Sequence, residues 1–121
     1  MGILVPRFRR PHAVIRGTQV GLRNPGLVDR IKINMRDGTY AYQEPRGRIA
    51  GVRDRSGIYH VIEGHHRMAA AFELYRETGD AKPILDLLHY GQWAEVDRRP
   101  AASRPLPARS WWRSLRNRVG L

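Results

Sequence analysis

Ile58-Tyr59-His60-Val61-Ile62-Glu63-Gly64-His65-His66-Arg67-Met68-Ala69-Ala70-Ala71 changes its hydrophobic period once, at Gly64. Before the glycine, Ile58 to Ile62 is a short apolar run rich in β-branched and aromatic residues, which predicts a strand. After it, Met68, Ala71, Phe72 and Tyr75 share one helical stripe while Glu73 and Arg76 fall off it, and Gly79 suits the position after a helix end. The spacing predicts a helix over about 65–78 that starts directly from the strand.

Working outward, Ile49 to Val52 is a second apolar run, separated from the first by Asp54-Arg55-Ser56-Gly57, whose composition suits a tight turn. The two runs read as a β-hairpin. Upstream, Asn24 can cap a helix, Pro25 fits its first position, and Leu27, Val28, Ile31 and Met35 repeat at helical spacing until Asp37-Gly38. Residues 1–24 are expected to supply an opening strand around Ala13, Val14 and Ile15, then a loop. Downstream, Pro83 to Tyr90 carries Ile84, Leu85, Leu87 and Leu88 and predicts a third helix, with Trp93 closing the core after Gly91. The fold class expected is α/β (α+β), with a domain over 1–97. Residues 98–121 follow as a Pro/Arg-rich linker and a short C-terminal helix around Trp111 and Trp112.

The 121 residues contain 20 arginines, 2 lysines and 11 acids, a formal charge of +11, and no cysteine. A chain of this length has room for one compact core. Without cysteine there is no disulfide, thiolate metal site or thiol nucleophile. No apolar run approaches the roughly 20 residues of a membrane-spanning helix. The charge is uneven: residues 1–57 carry +8, residues 58–97 carry −4, and residues 98–121 carry +7. Two arginine-rich arms around a mildly acidic centre suit polyanions, because guanidinium groups pair with phosphate in a fork and the release of counterions drives binding. The partner class this implies is nucleic acid or a nucleotide.

A strand that delivers Gly64 into the start of a helix gathers several unpaired backbone N–H groups, and such a spot attracts phosphate. Gly64 permits close approach, His65 and His66 can exchange a proton near neutral pH, and Arg67 offers a permanent fork of donors. Glu63 beside the turn would orient a histidine, activate water or hold a cation. Arg46, Arg48, Arg53 and Arg55 surround the hairpin and could follow a nucleic-acid backbone without reading sequence. His12 and His89 stand apart from this group.

The stretch from Ile58 to Ala71 resembles the core motif of the ParB/sulfiredoxin superfamily, in which a hairpin strand runs into a Gly-x-His-Arg or Gly-x-x-Arg turn and an alanine-rich helix. Leu27 to Tyr40 looks like the helix and glycine turn before that hairpin. The resemblance spans roughly residues 12–90, and its specific part is 57–71. It implies a phosphate-binding site made of Gly64, His65 and Arg67, with His65, His66, Arg67 and Glu63 as the catalytic group. Sulfiredoxins need a cysteine in this motif, and partitioning ParB proteins continue into a helix-turn-helix domain, whereas only about 30 residues follow Gly91 here. What remains resembles ParB-like nuclease domains at the tips of bacterial polymorphic toxins. That likeness implies a larger protein delivered by a secretion system, a cytoplasmic site of action, and an acidic immunity protein as partner.

Gly64-His65-His66 is also similar to the GHH group of HNH-type toxin nucleases, where a metal lies between hairpin and helix and His60 and Glu63 would add donors. The helix lacks the further histidine or asparagine such a site needs, so no metal ligand is assigned, and a divalent ion such as Mg²⁺ stays a candidate cofactor. The expected function is hydrolysis of phosphodiesters in DNA or RNA. The alternatives are a nucleotide-binding ATPase or phosphotransferase using the same turn, and a non-enzymatic nucleic-acid-binding module.

Overall fold

The structure, a computed structural model, describes residues 14–109. The expected helix around Trp111 and Trp112, His12, and the first residues of the opening strand lie outside that range. Within it the chain runs β1 (Ile15–Gly17), α1 (Pro25–Asp37), β2 (Ala50–Arg53), β3 (Tyr59–Glu63), α2 (His65–Thr78), α3 (Lys82–Tyr90) and β4 (Gln92–Glu95). The four strands form one sheet in the order β1-β3-β2-β4. β1 is parallel to β3, β2 is antiparallel to β3, and β4 is parallel to β2. This is a small mixed α+β domain with three helices. α2 fills the centre of the helical layer, packed on α1 and on α3.

The hairpin forms because its turn is self-satisfied. The Asp54 N–H donates to the Ile58 carbonyl at 3.0 Å, and the Asp54 carboxylate accepts the N–H groups of Ser56 and Ile58. Side chains alternate along a strand, so Val61 and His60 face opposite sides of the sheet. Val61 joins Ile15, Ile49, Met68, Ala70 and Ile84 in the core, all essentially without exposure. His60 is equally buried on the other face, held between Asp54 (2.8 Å) and Ser103 (2.9 Å).

Trp93 packs on the core as expected, and it does so from a fourth strand that was not expected, β4, whose ladder to β2 runs from Ala50↔Gln92 to Arg53↔Glu95. A second expectation is corrected. Glu73, expected off the apolar stripe, is 2% exposed, because α2 is covered on nearly every side. It is neutralised there by Lys32 of α1 at 3.1 Å and by Arg109, whose Nε donates at 2.7 Å. Arg109 belongs to residues 98–109, an extended strap lying on the domain. Gly17 and Arg104 exchange backbone hydrogen bonds at 2.8 and 2.9 Å, and Arg16 donates to the Ser103 hydroxyl at 2.8 Å.

Candidate phosphate site at the start of α2

Gly64 joins β3 to α2 at φ 105°, a left-handed conformation that side chains other than glycine rarely adopt. A Cβ there would lie 2.3 Å from the Ile49 side chain, so both backbone and space require glycine. The first intrahelical bond is Met68 N–H to the Gly64 carbonyl at 3.0 Å, and no side chain caps the turn. The N–H groups of the residues before Met68 therefore have no intrahelical acceptor, and they carry the positive end of the helix dipole.

His65 and His66 point toward the segment between β1 and α1. The Thr18 N–H donates to His65 Nε2 and the Asn24 N–H donates to His66 Nε2, each at 3.0 Å. Both imidazoles are thus acceptors at Nε2 and carry their proton on Nδ1. His65 is 3% exposed, packed so closely over Gly17 that a Cβ on that glycine would come within 2.9 Å of the ring. Burial lowers its pKa, the Val61 carbonyl pulls the other way, and His66 lowers it further. His66 is half-buried, and its pKa is lowered by burial and then by the charges of Arg23 and Arg67.

Arg67 reaches to the 46–48 loop while its charge still acts on His66. Its two terminal nitrogens donate to the carbonyls of Arg46 (2.7 Å) and Arg48 (3.4 Å), and its charge and hydrogen bond act on Tyr40. The Tyr40 hydroxyl itself donates to the Gly47 carbonyl at 2.7 Å, and burial pushes its pKa up to about 12. Arg67 therefore holds the 46–48 loop beside the turn. Glu63 ends β3 as an exposed carboxylate next to Gly64.

The strand register separates the four hairpin arginines. Ala50 pairs with Glu63, so Arg46 and Arg48 sit at the Gly64 end, whereas Arg53 pairs with Tyr59 at the far end. Arg53 and Arg55 there approach Glu95 and Asp97, each at 3.9 Å, and Arg53 lies 5.5 Å from the Tyr59 ring centre. Only the first pair adjoins the turn.

A cleft of about 570 Å³ opens beside His65, lined by Thr18, Gln19, Val20, Gly21, Leu22, Arg23 and Ile62. Sequence reading missed this wall, Thr18 and Arg23 in particular, and the tie that Asn24 makes beside it, because the segment has no periodic pattern and its link to the histidines is made by backbone amides. His60 is engaged by Asp54 and Ser103 on the opposite face from Val61. Hydrogen bonds from His60 and Ser56 hold the Asp54 carboxyl well below the usual carboxylate range. Among the described residues no three His, Cys, Asp or Glu side chains converge as a metal site, and no helix is long and apolar enough to cross a membrane. His89 stays apart, exposed and edge-on to Tyr90. The chain matches no family model, no curated protein and no solved structure.

Proposed function

We propose that this chain is a ParB-like nuclease domain that hydrolyses phosphodiesters of DNA or RNA at the Gly64–Arg67 turn, as the toxic end of a larger bacterial protein. The observation that carries the reading is the helix start itself. A strand feeds a left-handed glycine into α2, two histidines and an arginine occupy its first turn, and an open cleft with Arg23 on its wall adjoins it. The scissile phosphate is received by the free N–H groups of that turn, which stabilise the negative charge that grows in the transition state. His66 carries its proton on Nδ1 and is the more accessible histidine, so it donates a hydrogen bond to the phosphate oxygen that gains charge, and the leaving oxygen takes its proton from solvent water. Glu63, exposed beside the turn, accepts the proton of the attacking water. His65, buried and bonded to Thr18, orients the wall of the cleft, and Arg67 fixes Arg46 and Arg48 beside the phosphate path.

A divalent ion such as Mg²⁺ would share the charge of the phosphate, with the Glu63 carboxylate as a protein oxygen donor. An acidic immunity protein would cover the same basic face.

A second reading has one observation in its favour. The cleft volume falls within the usual range for small-ligand pockets, and Val20, Leu22 and Ile62 give it apolar walls, which suits a single nucleotide as substrate of an ATPase or phosphotransferase. The two readings separate when the protein is incubated with plasmid DNA, total RNA and ATP in parallel, with Mg²⁺ or with EDTA. The nuclease reading expects broken polymer and intact ATP. Intact polymers with ATP consumed would replace it with the nucleotide enzyme, and salt-sensitive binding without turnover would replace both with a binding module.

A further inference from the structure

The segment 18–24 is anchored at its two ends to the same two imidazoles. Thr18 at one end gives its N–H to His65, and Asn24 at the other gives its N–H to His66. Between the anchors Val20 is 74% exposed, and Gln19 bonds to the Gly21 carbonyl within the segment itself. The segment also forms most of the cleft wall. We propose that residues 18–24 are a proton-released lid: neutral His65 and His66 hold it against the start of α2, and proton uptake by the two rings lets it go.

The chemistry is that of donor and acceptor. An imidazolium carries N–H on both nitrogens, so a protonated ring sets its Nε2–H against a backbone N–H and the bond is replaced by repulsion. The groups around the rings bear on when this happens. His65 meets Gly17 of β1, the Val61 carbonyl of β3, the apolar Leu106 side chain across Gly17, and His66. His66 faces Arg23 on the segment and Arg67 on α2. The two arginines oppose the proton, and burial opposes it at both rings, so the lid is shut at neutral pH. Two further ties do not titrate: Thr18 Oγ1 donates to the Val61 carbonyl at 3.1 Å, which keeps the Thr18 end the firmer of the two, and the Leu22 side chain packs against the core in the middle of the segment, so release frees the Asn24 end first. The lid is a property of the fold and stands whether the cleft takes nucleic acid or a nucleotide.

Residue-resolved amide exchange of the whole chain between pH 8 and pH 5, corrected for the intrinsic pH dependence of exchange, tests this. We expect protection at Asn24, and less steeply at Thr18, to fall by roughly tenfold per pH unit below about 6.5, with Val61 and Ala70 staying far more protected than either at every pH. His66→Gln, which offers a non-titrating oxygen in place of Nε2, should keep Asn24 protected at pH 5 while Thr18 still loosens. Should that variant not fold, the Asn24 amide shift of the native chain must titrate with the midpoint of the His66 ring. The proposal is overturned if Asn24 stays protected at pH 5, if Val61 and Ala70 exchange there as fast as Asn24, or if the two midpoints differ.

Discussion

A methyl group at position 64 would meet the Ile49 side chain at 2.3 Å while the backbone is held at φ 105°. Gly64→Ala is therefore expected to cost about 3 kcal/mol, from left-handed strain together with overpacking, and denaturant unfolding measures it. This residue was legible in the sequence, because an apolar period that switches from two to 3.6 at a glycine marks a strand turning into a helix. The environment of its neighbours was not. Histidine in the first turn of a helix reads as a capping, packing or catalytic residue equally well. What decides between these is the pair of amides on Thr18 and Asn24, more than 40 positions away in the chain. Arg67 shows the same limit: its place in the motif suggests a phosphate clamp, and its terminal nitrogens hold the carbonyls of Arg46 and Arg48.

Among the elements, α1, the hairpin, α2 and α3 follow from apolar spacing, turn chemistry and the positions of proline and glycine, and they form close to where those signals place them. β4 carries one half-buried apolar anchor, Trp93, between exposed residues, so its pattern is too weak to announce a strand. The strap is hidden for a different reason. Its composition of proline and arginine reads as a linker, and what fastens it is a set of polar bonds at Ser103, Arg104 and Arg109 beside the packing of Leu106 on the core. Ser103→Ala removes the partner of both His60 Nδ1 and Arg16 Nε, and thermal or denaturant unfolding should show a loss of about 1–2 kcal/mol. Glu73→Gln takes the negative centre from between Lys32 and Arg109, with a larger expected loss on the order of 3 kcal/mol. A change below about 0.5 kcal/mol in the serine variant would mean that the strap is not fastened at that point.

For the whole molecule, the charge distribution sets the salt dependence of binding and the pKa shifts set the pH dependence of stability. The excess of +11 favours polyanions at low salt, with affinity falling steeply as salt rises. Stability should depend on pH through His65 and His66, whose pKa values are lowered in the folded state. Below the unfolded value of about 6.5 the unfolded chain binds protons that the folded chain resists. Stability is therefore complete above that pH and declines as pH falls through the depressed folded values. Thermal unfolding from pH 8 to pH 5 should show a falling midpoint, and a midpoint that rises would contradict the acceptor role of the two rings. Asp54 is depressed in the way usual for a carboxylate, so its contribution persists until far lower pH.

The catalytic role of the turn is tested most directly by single-turnover cleavage of a labelled oligonucleotide at pH 7.5, comparing the native chain with His66→Ala. We expect the native chain to cut the strand and the variant to cut it about 100-fold or more slowly, with binding of the uncut strand preserved. An uncut strand with the native protein, or equal rates for the two proteins, would contradict phosphodiester hydrolysis at the start of α2.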